Sequence, residues 1–245
     1  GYTNILTATK KKINLIDQKK TFKFLKKQKP DFIFMCAAKV GGILANNRYK
    51  ADFIYQNLEI QNNVIHGALK ANVKNLIFLG SSCIYPAKSK QPMKEKYLLD
   101  GQLEKTNEPY GIAKIAGIKL CESYNFQYKT NYRCLMPTNL YGYNDNYEKN
   151  SSHFVAALIR KVSDIQLKKS KNLILWGTGR VKREIMHVDD LAKACLYFMN
   201  IKTKETLINI GSGQDFTIND YAKKLLKILN IKTKIKHDLS KPDGI

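Results

Sequence analysis

The stretch that decides the fold is Ile77-Phe-Leu-Gly-Ser-Ser-Cys-Ile-Tyr-Pro86, followed about one loop later by Tyr110-Gly-Ile-Ala-Lys114. Its first half is a β-branched and aromatic run that ends in glycine and serine, which is typical of a buried parallel strand opening into a loop. The second cluster begins a helical pattern directly after Thr106-Asn-Glu-Pro109. Thr or Asn at a helix start can cap it, and proline is favoured in the first turn. A parallel strand followed by a long helix is the unit from which α/β folds are built.

Ser81, Tyr110 and Lys114 form a candidate set for proton transfer. Tyr110 and Lys114 are four residues apart, so they share one face of the predicted helix. Because a nearby ammonium favours the phenolate, the spacing predicts a tyrosine with a lowered pKa. With a serine at the strand end, the set suits the interconversion of a carbonyl and an alcohol. A Tyr-x-x-x-Lys pair is common in a lysine-rich chain, so the upstream strand end is what makes this set informative.

The flanking segments continue the alternation of strands and helices. Strands are predicted at 4–9, 31–38, 75–80, 132–137, 172–176, 184–190 and 207–213. Helices are predicted at 18–28, 50–71, 108–128, 154–168, 190–200 and 217–229, and loops at 10–17, 39–43, 177–183 and 236–244. This order predicts an α/β fold, a doubly wound parallel sheet with helices on both faces. We expect a main domain over 1–142 and a smaller lobe over most of 143–245.

Composition is ordinary for a globular protein except for a formal net charge of +22. The excess is nearly all lysine, with only five arginines, and the lysines form no basic stripe and no nucleic-acid motif. No apolar run is long enough to cross a bilayer. We therefore expect neither a nucleic acid nor a membrane as partner. Five scattered cysteines without C-x-x-C spacing favour reduced thiols in a cytoplasm over disulfides or a metal site.

Four longer strings carry a resemblance that runs almost from end to end. They are Ala37-Ala-Lys-Val-Gly-Gly-Ile43, Leu79–Pro86, Asn107–Tyr124 and Met136-Pro-Thr-Asn-Leu-Tyr-Gly142. They resemble the extended short-chain dehydrogenase/reductases and, within that family, the GDP-L-fucose synthases. The resemblance implies that NADPH is the cofactor and that GDP-4-keto-6-deoxy-D-mannose is epimerised at C3 and C5 and reduced at C4. It also implies that 1–142 is a Rossmann-like, NADP-binding domain, that most of 143–245 is a substrate lobe, and that 184–204 returns to the main domain. It further implies a homodimer in which helices 50–71 and 108–128 pair across a two-fold axis.

The resemblance further implies roles for individual residues. Ser81, Tyr110 and Lys114 serve the 4-reduction, and Cys83 and His153 are the base and acid that inversion beside a ketone requires. Lysines 10–12 suit a 2′-phosphate, which favours NADP over NAD. Cofactor contacts are expected from Lys10, Leu79, Gly80, Ser81, Ser82, Tyr110, Lys114, Pro137, Thr138, Asn139, Leu140 and His153. Substrate contacts are expected from Lys161, Trp176, Arg183 and Asp243.

The chain departs from the family pattern in two places. It contains no G-x-G-x-x-G or G-x-x-G-x-x-G, with which the family opens its first β-α unit, so we expect that unit and the family's C-terminal end to lie outside this chain. Lys161 stands where the family often has arginine, which keeps a charge but loses the bidentate fork. Three functions stay open here: the bifunctional epimerase-reductase, another nucleotide-sugar 4-epimerase or 4-reductase, and a catalytically impaired fragment acting as a binding module.

Overall fold

The computed structural model describes residues 2–149 and 151–241, which form α-helices and mostly parallel strands. The helices are α1 Gln18–Gln28, α2 Ile43–Arg48, α3 Lys50–Lys70, α4 Glu108–Tyr128, α5 Phe154–Gln166, α6 Val188–Asn200 and α7 Ile218–Ile228. The strands are β1 Phe32–Met35, β2 Asn75–Leu79, β3 Asn131–Pro137, β4 Asn139–Tyr141, β5 Leu173–Trp176, β6 Lys182–His187, β7 Leu207–Ile210, β8 Asp215–Thr217 and β9 Ile235–Asp238. The α/β prediction with a parallel sheet is confirmed.

Three sheets are present among these residues. The largest has the strand order β1-β2-β3-β7, and each neighbouring pair in it is parallel. A second sheet has the order β4-β6-β8, in which β8 runs antiparallel to β6. The third pairs β5 with β9 in parallel. Because β1, β2 and β3 all run the same way, their carboxyl ends meet at one edge, where ligands of open α/β sheets bind.

Most predicted helices are confirmed to within two residues at each end. α1 begins behind Asp17, whose carboxylate accepts a hydrogen bond from the Lys20 amide at 3.0 Å. α4 begins at Glu108 with Pro109 in its first turn, where the missing proline N–H costs nothing. A side-chain cap therefore marks the start of α1, whereas α4 has a first-turn proline and no side-chain capping bond from Asn107.

Two predicted segments are wrong, and a third is displaced, since the strand expected over 184–190 lies at Lys182–His187 and Val188 already begins α6. Residues 4–9 were expected to be a strand, but they form no ladder with any described residue, and Ile5 is 71% exposed. A strand needs a neighbour for its backbone N–H and C=O groups, which a local pattern cannot supply. Residues 236–244 were expected to be a loop, yet Ile235–Asp238 forms β9 and pairs with β5. The short elements α2, β4 and β8 were not predicted, because three to six residues carry too little periodicity.

The first compact unit comprises residues up to Val40, Tyr49–Pro137 and Ala192–Ile210. It contains the four-stranded sheet, and its core joins strand side chains such as Phe78 and Tyr132 to helix side chains such as Ile65 and Ile118. The chain returns to this unit over 192–210, later than the expected 184–204. The reason is that β7 pairs with β3, which brings Leu207–Ile210 into the sheet.

The second unit comprises Gly41–Arg48, Thr138–Leu191 and the residues from Gly211 on. Its core packs α5 and α7 against β5, with Val162, Leu173 and Ala222 fully buried. α7 begins with a capping box, in which Thr217 and Asp220 each accept the other's backbone N–H. No helix in the described part of the chain is long and apolar enough to cross a bilayer.

Candidate active site

The carboxyl end of β2 places Ser81 and Cys83 at the ligand-binding edge of the sheet. The Gly80 amide donates to the Leu135 carbonyl at 2.9 Å, so the ladder between β2 and β3 holds the backbone up to the residue before Ser81. A single 3₁₀ turn, Ser82–Ile84, follows, and the Ser81 hydroxyl accepts the Cys83 amide at 3.4 Å. Both side chains are half-buried.

Tyr110, in the first turn of α4, is brought to these two residues. Its side chain is only 9% exposed and hydrogen-bonds with the Ser81 hydroxyl. Burial raises the pKa of Tyr110, the charge of a Cys83 thiolate adds to the rise, and the Ser81 hydrogen bond opposes it. The phenol is therefore protonated at neutral pH, as a proton donor must be.

Lys114 lies one turn further along α4, and its ammonium turns inward. It is 4% exposed, its Nζ donates to the Leu79 carbonyl at 2.7 Å, and it lies 4.6 Å from the centroid of the Phe78 ring. Burial lowers the pKa of Lys114 to about 8. The expectation that this ammonium lowers the tyrosine pKa is not met here, because burial of the phenol outweighs a cation lying 5.7 Å from the Tyr110 ring centroid.

The other expected cofactor residues of the first unit lie at strand ends or in the segment before α1. Leu79, Gly80 and Ser82 continue the β2 end, Pro137 closes β3, and Lys10 is exposed in a turn before α1. The Lys114 ammonium is held at the edge where the strand ends meet, which is where ligands of open α/β sheets bind. No group of His, Cys, Asp or Glu among residues 2–149 and 151–241 could hold a metal ion.

The loop after Pro137 is fixed within the second unit by Glu184. The Thr138 hydroxyl and the Asn139 side-chain amide both donate to the Glu184 carbonyl, at 2.7 and 3.0 Å, and Leu140 follows in β4. The Glu184 carboxylate accepts the Gly213 amide at 2.7 Å. Glu184 was missed in the sequence analysis, since its partners are distant in sequence and no motif marks it.

The remaining expected residues also lie in the second unit. His153 is the exposed N-cap residue of α5, without a side-chain capping bond. Lys161 donates to the Ile174 carbonyl at 2.8 Å and lies 5.5 Å from the Trp176 ring centroid. Burial lowers the pKa of Lys161. Arg183, on β6, donates to the Lys182 carbonyl at 2.8 Å.

Trp176 has a second cation beside it that the sequence analysis missed. Lys241 lies 5.9 Å from its ring centroid, and the indole is 38% exposed. The contact between Lys241 and Trp176 could not be predicted from the polar sequence around Lys241, because it depends on the pairing of β9 with β5. Asp243 lies outside the described residues.

A family model described as the NAD dependent epimerase/dehydratase family matches residues 3–211. This chain belongs to that family. It is 46% identical to the GDP-L-fucose synthase of Escherichia coli (strain K12), over all of this chain and 79% of that protein. It is 47% identical to the GDP-L-fucose synthase of Sinorhizobium fredii, over 98% of this chain and 76% of that one. The resemblance to this branch of the epimerase/dehydratase family is thus confirmed.

A solved structure of the epimerase/dehydratase type bears on the cofactor. The GDP-mannoheptose C4 reductase of Campylobacter jejuni, with NADP bound, superimposes with a TM-score of 0.87 at 37% identity. The match covers 97% of this chain and 81% of that one. Family membership makes this chain a protein that processes nucleotide sugars.

Proposed function

We propose that this protein converts GDP-4-keto-6-deoxy-D-mannose into GDP-L-fucose, by NADPH-dependent epimerisation at C3 and C5 and reduction at C4. The observation that carries the proposal is the meeting of Ser81, Cys83 and Tyr110 at the β2 end. A hydroxyl, a thiol and a phenol there supply a hydrogen-bond donor, a base and an acid. The relative named GDP-L-fucose synthase, which is 46% identical over all of this chain and 79% of its own length, supports the same chemistry.

Epimerisation is assigned to Cys83 and His153. The 4-ketone makes the C3 and C5 hydrogens acidic, since the electron pair left behind is delocalised onto the ketone oxygen as an enolate. At each carbon the Cys83 thiolate removes the proton and afterwards releases it to solvent, and His153 gives a proton to the opposite face of the same carbon. The exposed ring of His153 can then regain a proton from solvent.

Reduction is assigned to Tyr110, Ser81 and Lys114. The NADPH supplies the hydride that reaches C4. Tyr110 gives its phenolic proton to the 4-keto oxygen, which the Ser81 hydroxyl stabilises while negative charge develops. Lys114, whose ammonium donates to the Leu79 carbonyl, would hold the nicotinamide ribose.

The two units divide the binding of cofactor and substrate. The first unit holds NADPH through the ends of β2 and β3, with Lys10 near the 2′-phosphate. In the second unit, Thr138, Asn139, Leu140 and His153 are assigned to the cofactor, and Lys161, Trp176 and Arg183 to the GDP-sugar. Asp243, outside the described residues, is also assigned to the GDP-sugar. Arg183 suits a phosphate and Trp176 an apolar ring face. Free thiols at all five cysteines are consistent with a cytoplasmic enzyme.

The Cys83→Ser variant tests this division of labour. We expect it to abolish the exchange of the C3 and C5 hydrogens of GDP-4-keto-6-deoxy-D-mannose with D2O. The oxidation of GDP-L-fucose by NADP⁺ should stay largely intact. Exchange is measured by mass spectrometry and oxidation by absorbance of NADPH. Cys36→Ser, at the exposed cysteine after β1, is the matched control. Equal loss of both activities in Cys83→Ser would remove the assignment.

A second candidate, reduction at C4 without epimerisation, is favoured by the likeness to the GDP-mannoheptose C4 reductase. The two functions differ in the sugar formed from GDP-4-keto-6-deoxy-D-mannose, because only epimerisation changes C3 and C5. NADPH consumed with retention at both carbons would favour the second candidate. An epimerase that keeps its nicotinamide would instead show turnover without stoichiometric loss of NADPH.

A further inference from the structure

One asparagine, Asn209, forms hydrogen bonds with three residues of the segment C-terminal to Cys83. It lies on β7, at the edge of the four-stranded sheet. Its Oδ1 accepts the Tyr85 hydroxyl at 2.5 Å, its side-chain amide donates to the Met93 carbonyl at 3.1 Å, and its backbone amide donates to the Glu95 carboxylate at 2.8 Å. The loop over 85–95 is thereby fastened to the edge strand.

The bond to Tyr85 is the buried part of this arrangement. Tyr85 is 5% exposed, and a buried hydroxyl without an acceptor is costly. Burial raises the pKa of Tyr85 to about 12, although the hydrogen bond to Asn209 acts to lower this pKa. The phenol therefore stays protonated at neutral pH and can donate. Asn209 supplies the only acceptor that the described residues give this hydroxyl.

The position of Cys83 depends on the residues C-terminal to it. Ser81 is next to Gly80, whose backbone N–H is fixed by the sheet ladder. Cys83 instead lies in the 3₁₀ turn, which ends where the Tyr85 backbone N–H donates a hydrogen bond to the Ser82 carbonyl at 3.2 Å. On the other side, the Cys83 carbonyl packs against Gly111, where an added Cβ would lie 2.7 Å from the oxygen. The turn is therefore held between α4 and the Tyr85–Asn209 pair.

We propose that Asn209 is a positioning residue for Cys83, and that it serves the proton exchange at C3 and C5 more than the redox step at C4. This inference rests on the proposed function, since it assigns the base to Cys83. Ser81 and Tyr110 are held by the sheet ladder and by α4, so the redox step is much less dependent on Asn209. Small displacements of a catalytic group cost large factors in rate.

The test compares two activities in Asn209→Ala and Tyr85→Phe. We expect exchange of the C3 and C5 hydrogens with D2O to fall about tenfold or more in both variants. Oxidation of GDP-L-fucose by NADP⁺ should change less than about threefold, because Cys83 takes no part in it. Asn131→Ala is the matched control, since it removes the 2.8 Å side-chain bond to Asn75 at the opposite end of the same sheet. Equal losses of both activities, or no loss of exchange, would overturn the proposal.

A second measurement needs no substrate and separates this inference from the proposed function. Alkylation of Cys83 by iodoacetamide, followed peptide by peptide from pH 6 to 10, reports how the turn holds the thiol. We expect Asn209→Ala and Tyr85→Phe to alkylate Cys83 several times faster at pH 8, because a loosened turn exposes it, and Asn131→Ala to match the wild type. An unchanged profile in both variants refutes the positioning role. If the wild type exchanges no hydrogen but the profile shifts, only the proposed function fails.

Discussion

Tyr110 and Lys114 lie one helical turn apart, and burial acts on them in opposite senses. It raises the pKa of the phenol and lowers that of the ammonium, because each side chain is favoured in its neutral form. The lysine remains mostly charged at neutral pH, and the tyrosine remains a proton donor. Burial thus keeps the Tyr110 phenol protonated, while the Lys114 ammonium donates a hydrogen bond to the Leu79 carbonyl.

The depressed pKa of Lys114 makes a prediction about stability. Between the folded value of about 8 and the ordinary value of 10.5, the unfolded chain binds more protons than the folded one, so the free energy of unfolding rises with pH there. The rise from this residue is roughly 3 kcal/mol, at about 1.4 kcal/mol for each pH unit. Urea unfolding from pH 7 to 10.5 should show a smaller rise in Lys114→Met than in wild type. Lys119→Met, at an exposed lysine of the same helix, is the control. The prediction would be contradicted if the free energy of unfolding rose with pH as steeply in Lys114→Met as in wild type.

At the scale of elements, α4 approaches its neighbours through glycines. A Cβ at Gly111 would lie 2.7 Å from the Cys83 carbonyl, and one at Gly117 would lie 2.6 Å from the Phe78 ring. We expect Gly111→Ala and Gly117→Ala each to lower the free energy of unfolding by about 1–3 kcal/mol, measured in urea. Only Gly111→Ala should also slow C3 and C5 exchange relative to GDP-L-fucose oxidation, because it displaces the turn that bears Cys83. If the ratio of exchange rate to oxidation rate were the same in both variants, the link between Gly111 and the position of Cys83 would be disproved.

The elements also show what a sequence can predict. α1, α3 and α4 were located well, because helix periodicity and caps such as Asp17 are local. The same is true of Ser81, Cys83, Tyr110 and Lys114, which lie on one strand end and one helix start. Asn209 was missed because its partners Tyr85 and Glu95 are 124 and 114 residues away, and only the sheet brings them together. The false strand at 4–9 and the missed β9 have the same cause, since strands depend on partners.

For the whole molecule, we predict a homodimer that uses α3 and α4. Both helices present apolar side chains to solvent, among them Tyr55 at 59% and Ile112 at 44% exposure. Two antiparallel copies of this pair would bury these side chains about a two-fold axis, each copy using the same surface. A net charge of +22 makes two copies repel each other, so burial of these apolar side chains has to outweigh that repulsion.

Tyr55→Arg tests this interface, because it places a cation where two copies would meet. Light scattering after size exclusion should give twice the chain mass for wild type and one chain mass for the variant, with the far-UV spectrum unchanged. Leu196→Arg on α6, at a leucine that is 39% exposed, introduces the same charge elsewhere and should remain dimeric. Dissociation by both variants would point to charge alone, and a monomeric wild type would exclude the interface. Since Ser81, Cys83, Tyr110 and Lys114 all come from one copy, we expect the Tyr55→Arg monomer to retain C3 and C5 exchange.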